Sequence, residues 1–228
     1  MNHNLVAVIP AKSNSSRVPN KNFKPFYESQ SLLEIKIRQA LDSGIFSEIY
    51  VSSDSDEARH ISERLGVKFL LRDFSLCVDE TPWGTVLRGI LNQVPVSQDT
   101  LIGWLMPTSP LFSDFKSAYA RLLAEPEKDS LLTVTRLKHF YLNADYIPIN
   151  HQWGVWHSYS QGIRPIFHMN LAFFISPKSM MMDNQYQIGN KPIFYEIGPI
   201  ESQDIDTPTE FETCQVLYQA IIQKRITL

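Results

Sequence analysis

The sequence predicts an α/β domain built on a doubly wound, mostly parallel sheet, and three observations lead there. Short apolar runs of strand length alternate with stretches whose apolar residues recur at helical spacing. No internal repeat, low-complexity tract or linker-like break in composition divides the 228 residues, so 1–228 reads as a single domain. With 43% hydrophobic residues, a chain of this length hides roughly 70% of its unfolded surface, enough to cover a sheet on both faces.

In chain order, Leu5–Ile9 is a compact β-type run. Leu32, Leu33, Ile37, Ala40 and Leu41 then share a helical face that Gly44 ends. Glu48–Ser52 is the next strand, and Ala58, Ile61 and Leu65 mark a helix closed by Gly66. Val67–Leu71 reads as a strand, Thr85–Val94 as a helix, Leu101–Met106 as a strand, Asp114–Ala124 as a helix and Leu131–Thr135 as a strand. The alternation fails between about Leu137 and Met169, where Phe140, Tyr141, Tyr146, Trp153, Trp156, Tyr159 and Phe167 follow no period. An aromatic-rich insertion of this kind is a lid or a subunit contact, and its aromatic density favours the contact of a homodimer. Regular strands resume at Leu171–Ser176 and Ile193–Ile197. The last helix has a marked start, with Thr207 as N-cap, Pro208 at the first helical position and Glu210 three residues after the cap. Its stripe of Phe211, Cys214, Tyr218, Ile221 and Ile222 should face the core, which makes Cys214 a buried small hydrophobe.

Charge narrows the function. Twenty-one basic side chains stand against 24 acidic ones, a net charge of −3, so neither nucleic acid nor a membrane surface is an expected partner. An anionic ligand must be met by a local pocket. Cys77 and Cys214 form no paired framework, no apolar run approaches ~20 residues, and Met1–Leu5 lacks the pattern of a secretion signal. The expectation is a soluble cytoplasmic protein. His3, His60, His139, His151, His157 and His168 show no metal-ligand spacing, although His139 and His168 border the insertion and are weighed as pocket residues.

The most informative segment is Ile9–Asn22, which follows the first strand and therefore sits where α/β sheets bind ligands. It carries neither GxGxxG nor GxxxxGK[ST]. It does place Lys12, Arg17 and Lys21 in one loop rich in Ser and Asn. Crowded cations repel unless an anion neutralises them, and a triphosphate would do so; a solvated basic loop is the bland alternative. Near the other end, Asp204 and Asp206 stand at i, i+2, a spacing that turns both carboxylates to one side of an extended segment, as Mg²⁺ needs. Asp206 also adjoins the Thr207 cap and could serve the helix dipole. Asp54 reads equally as a helix cap or a site residue.

These motifs resemble the N-acylneuraminate (CMP-sialic acid) cytidylyltransferase family. Ile9–Asn22 is similar to its first loop, Val51–Ser55 to its VSTDS strand end and Leu71-Arg72 to the arginine after its third strand. Met106–Leu111 resembles LQPTSPL, Asn170–Ile175 resembles NGAIYI, and Asp204–Pro208 repeats DIDTP. Six short matches in family order over most of the chain make a strong collective signal. The resemblance implies a nucleotide-diphospho-sugar transferase-like fold and transfer of CMP from CTP to the hydroxyl of a 2-keto sugar acid, with release of pyrophosphate and with Mg²⁺. It also implies that Lys12 and Lys21 hold the triphosphate and that Asn22 lies near the nucleotide, with Arg17 added from the charge of the loop. Arg72 would read cytosine, donating to acceptors that uracil's N3–H does not offer. Thr81 or Thr85 would add a base or ribose contact, and Asp204 and Asp206 would hold the metal.

Departures fall mainly on the acceptor side. The loop's arginine is Lys12, and two of its glycines are Ser13 and Asn14, which fits only if Asn14 or ordinary backbone angles replace them. The glutamine before PTSP is Met106, the arginine after it Phe112, and the glycine after Asn170 is Leu171. An arginine–glutamine pair upstream reads Ser160-Gln161, with Arg164 as substitute. Arg164 and Asn170 are the remaining acceptor candidates. The expected acceptor is a sialic-acid-like sugar acid other than N-acetylneuraminate, with another carboxylated or phosphonate acceptor, or a catalytically inactive nucleotide-binding homologue, as alternatives.

Overall fold

The computed structural model describes residues 4–226; His3 lies outside them. Nine strands and six α-helices are present among these residues. They are β1 (Leu5–Pro10), β2 (Pro25–Tyr27), β3 (Gln30–Ser31), α1 (Leu32–Ser43), β4 (Glu48–Ser53), α2 (Asp56–Arg64), β5 (Lys68–Leu71), α3 (Trp83–Gln93) and β6 (Leu101–Leu105). There follow α4 (Phe115–Leu123), β7 (Ser130–Leu137), β8 (Ile166–Pro177), α5 (Lys178–Asn184), β9 (Pro192–Glu196) and α6 (Pro208–Ile222).

Seven strands form one sheet in the order β5-β4-β1-β6-β8-β7-β9, and β2 pairs with β3 in a small hairpin. Only β8 runs against its neighbours, antiparallel to both β6 and β7. Chain order reverses between β1 and β6, and at such a switch point the loops leaving the carboxyl ends part to open a crevice.

Burial on both faces explains the strand pattern. In β1, Leu5, Ala7 and Ile9 pack with α1, α2 and α4, while Val6 and Val8 pack with α3 and α5. A third cluster joins α6 to the hairpin, with Phe26 and Phe211 in an edge contact at 5.2 Å. Caps fix the helix ends. Ser31 and Glu34 form a capping box on α1, Thr207 and Glu210 form one on α6, and Gly44 turns left-handed after α1. Cys214 is fully buried, and that burial pushes its thiol up to about 12. Ile222, expected in the buried stripe of α6, is instead 49% exposed, because the helix outruns the hairpin that covers its earlier turns.

Two other expectations change. Asp54 is not the cap of α2; Ser55 is, accepting from the Glu57 amide at 3.1 Å. The insertion is shorter than 137–169, because β7 continues to Leu137 and β8 begins at Ile166, paired with it. Phe167 and Met169 are strand residues, and the stretch from 167 to 169 is exposed in succession, so it carries no alternation to read. The arm between the strands has two short 3₁₀ turns and one isolated bridge, Leu142 to Pro148. Tyr146, Trp153, Val155, Trp156 and Tyr159 stand exposed on it. No helix among the described residues is long and apolar enough to cross a membrane.

Candidate active site

The crevice at the switch point is a cavity of about 530 Å³. The loop after β1 lines it with Lys12, Ser15, Ser16, Arg17, Lys21 and Asn22. Arg72 enters from the end of β5, Met106 to Thr108 from the end of β6, and Asp204 and Asp206 from the segment before α6. Segments nearly 200 residues apart in sequence thus share one space.

The loop is held in place by its own bonds. Asp54, at the end of β4, accepts from the Ser13 amide at 2.7 Å and from its hydroxyl at 2.5 Å. Burial raises the Asp54 carboxyl, but those two bonds, with its own backbone amide and the Arg72 charge, leave the pKa below the ordinary value. Asn22 donates to the Lys12 carbonyl at 3.1 Å. The loop's left-handed residue is Asn20, at φ 53°, rather than Asn14.

Carboxylates of the protein answer the three cations. Arg17 reaches Asp206 at 2.7 Å, and Lys21 bonds the Ile205 carbonyl and lies 3.4 Å from Asp206. Lys12 pairs with Asp79, a residue that sequence reasoning passed over because only the fold brings it to the loop. Asp204 is the buried member of the acidic pair. Burial chiefly raises its pKa, helped by the neighbouring Asp206 and opposed by a hydrogen bond from Thr108 and by Lys21. The Ile205 amide donates to the Thr108 carbonyl at 2.9 Å, so the loop after β6 and the acidic segment are stitched together.

Two polar atoms in the cavity wall lack any partner. Arg72 is buried and donates through Nη2 to the Ser52 carbonyl at 2.8 Å, but its Nε is unpaired. Asn22 likewise leaves Oδ1 without a donor. Most buried polar groups have a partner, and these two are the partnerless atoms on residues that line the cavity, where a ligand can reach them. Burial also pushes the Arg72 pKa down, which raises the gain from meeting an acceptor there.

No group of three or more His, Cys, Asp or Glu suited to a metal occurs among the described residues. The donor set nevertheless fits Mg²⁺, which usually takes one or two carboxylates and completes its shell with water and substrate phosphates. A buried carboxylate of raised pKa beside a second one is short of positive charge.

Three sequence candidates do not reach the cavity. Thr85 is exposed one turn into α3, and Trp83, at the start of that helix, lines the space instead. Asn170 is buried, its amide donating to Thr135 Oγ1 at 3.0 Å, and its neighbour Leu171 takes the cavity wall. Arg164 is exposed on the arm, with its carbonyl accepting from Asn150. Phe112 is a core residue packed edge-on against Phe115 and tilted against Phe173, so its departure from the arginine pattern is a matter of packing.

A family model described as cytidylyltransferase matches residues 6–220. The chain belongs to the cytidylyltransferase family. Its members are nucleotidyltransferases. One relative, the pseudaminic acid cytidylyltransferase of Campylobacter jejuni serotype O:2, is 26% identical over 225 residues, covering 94% of this chain and 96% of that protein. The N-acylneuraminate cytidylyltransferase of Escherichia coli O18:K1:H7 is also 26% identical, over all of this chain and 55% of its own length. Among solved structures, a CMP:2-keto-3-deoxy-manno-octonic acid synthetase complexed with CTP matches at a TM-score of 0.68 and 15% identity, over 96% of this chain and 99% of the other. A 4-diphosphocytidyl-2C-methyl-D-erythritol synthase from Anaerococcus prevotii matches at 0.66 and 11%, over 96% and 100%. The fold of this cytidylyltransferase is therefore that of the nucleotide-diphospho-sugar transferases, as the resemblance implied.

Proposed function

We propose that this cytidylyltransferase moves CMP from CTP to the hydroxyl of a sialic-acid-like 2-keto sugar acid and releases pyrophosphate. The observation that carries the reading is the meeting of Lys12, Arg17, Lys21 and Arg72 with Asp204 and Asp206 around one cavity. Lys12, Arg17 and Lys21 hold the triphosphate, exchanging their present carboxylate partners for phosphate oxygens. Arg72 turns its unpaired Nε to the cytosine edge, and Asn22 offers Oδ1 to a donor of the nucleotide. Asp204 and Asp206 would hold Mg²⁺, which when bound neutralises phosphate charge and lowers the pKa of the attacking hydroxyl. The protein's own work is to align hydroxyl and α-phosphorus and to stabilise the charge that builds on the leaving pyrophosphate.

Asp204→Asn tests this. It should abolish pyrophosphate release from CTP across a panel of keto-sugar acids while leaving the unfolding transition in place. Undiminished turnover at ordinary Mg²⁺ would defeat the metal role. A wild-type protein that binds CTP yet turns over no acceptor would favour the inactive nucleotide-binding alternative.

The reading extends to a homodimer joined by the arm, whose exposed aromatics are costly to leave in water. Arg164 would then be offered to the partner's cavity. A monomer by light scattering at micromolar concentration would remove this part. Two free, buried cysteines fit a reducing cytoplasmic setting.

A further inference from the structure

Sheet order fixes the flank to which each wall of the cavity belongs. Along the carboxyl edge, Arg72 follows β5 on one side, the cationic loop follows β1 in the middle, and Met106 follows β6; Leu171 of β8 lies next beyond. Trp83 comes to the same flank from α3. Its ring meets Trp104 of β6 edge-on at 5.9 Å, and its Nε1 donates to Gln187 Oε1 at 3.0 Å. Charge dominates the middle of the cavity, whereas this flank presents Met106, Leu171 and Trp83.

Hydrogen-bonding capacity on that flank is already spent. The one donor of Trp83 is taken by Gln187, and the Asn170 amide is taken by Thr135 and by the Ala172 amide. The Thr108 carbonyl is taken by the Ile205 amide at 2.9 Å. The thioether of Met106 is only a weak acceptor, and Leu171 offers nothing.

We infer that Met106, Leu171 and Trp83 form a specificity wall that selects an acceptor presenting a C–H edge, either a deoxy carbon or the methyl of an acyl group, over one presenting a hydroxyl. The inference rests on the cytidylyltransferase reading of the cavity. A hydroxyl pressed on this wall loses its water and finds no partner, whereas a methyl gains contact area. A site with unmatched polarity discriminates by about tenfold or more for a single group.

The test uses the full chain with CTP and Mg²⁺, and reads kcat/KM from pyrophosphate release. The acceptors are N-acetylneuraminate, its single-deoxy analogues at carbons 7, 8 and 9, and an analogue with a longer N-acyl chain. At least one analogue should exceed the parent by about tenfold or more. Met106→Gln, which keeps the side-chain length, and Leu171→Ser should each pull that ratio toward one. Calorimetric CTP binding reports separately whether the nucleotide half of each variant is intact. Equal kcat/KM for all acceptors, or a preference that both variants retain, overturns the wall and leaves the cytidylyltransferase reading standing. A protein that neither binds CTP nor turns over any acceptor sinks that reading, and the wall with it.

Discussion

Lys36 offers a prediction whose size and sign both follow from the structure. It lies on α1 with no solvent exposure, and its ammonium donates to the carbonyls of Ser109 and Phe112, each at 2.9 Å. Both carbonyls belong to the loop after β6 that also faces Asp204. Burial pushes the Lys36 amine down from 10.5 to about 7. At about 1.4 kcal/mol per unit, this depressed pKa costs the folded state roughly 4 kcal/mol at pH 7. Between pH 7 and 10.5 the unfolded chain carries a proton here that the folded chain lacks. Wild-type stability from this residue therefore rises with pH through that window and is lost again as pH falls toward 7. Lys36→Met keeps the stem, removes the titration and strands two buried carbonyls, each costing about 1–3 kcal/mol. The two effects roughly cancel at pH 7, so the variant should then be about as stable as wild type. By pH 10 the titration cost has largely gone, and the variant should lag by a further 3–4 kcal/mol or so. Urea unfolding of both proteins in half-unit pH steps, followed by tryptophan fluorescence, reads the difference directly. A difference that stays constant from pH 7 to 10 would mean that the amine titrates as if in water, and the burial argument would fail.

Lys21→Ala should weaken CTP binding by about 1.5–3 kcal/mol, the scale of a charge-assisted hydrogen bond, or roughly ten- to a hundredfold. Isothermal titration with CTP checks it, and unchanged affinity rejects the phosphate role. Asp54→Asn removes the carboxylate that holds the Ser13 amide and hydroxyl. It should raise KM for CTP several-fold with little change in kcat, since the cationic loop loses its anchor rather than its charges; an unaltered KM would show that the loop is ordered without it. Because the Asp54 pKa is lowered on folding, its contribution to stability is present above the ordinary carboxylate range and lost as pH falls through the folded value. The wild type should therefore lose its advantage over Asp54→Asn in acid unfolding, and a stability gap unchanged down to pH 2 would contradict the assignment.

Much of the fold was legible in the sequence because the sheet is buried on both faces. Runs such as Leu5–Ile9 and Leu101–Leu105 must then be apolar throughout, and the helices that cover them must show one apolar stripe each. Short elements left no such record. Seven-residue α5 buries only Lys178 and Met181, one of them through a lysine that caps the Val94 and Val96 carbonyls. The cationic loop and the acidic pair were legible as two local charge patterns, and the fold supplied their meeting. What local pattern cannot give is a partner set by the fold, as with Asp54 and Ser13 or Lys12 and Asp79.

Asn170 and Leu171 show why the acceptor side was hardest to read. Successive side chains of a strand point to opposite faces, so a motif match that is right to the residue still leaves open which of two neighbours meets the ligand. Here the pairing of β7 with β8 shifts register between Leu132, which faces Phe174, and Val134, which faces Met169, so Asn170 lies within the β8 stretch that the shift spans. That shift comes with a buried tie from Asn170 to Thr135 on β7 and a cavity wall made by Leu171. A leucine at that position fills space that a glycine would leave to solvent or to substrate. Leu171, where the resembled motif has a glycine, therefore takes up cavity space, whereas Asn170 beside it ties β8 to β7.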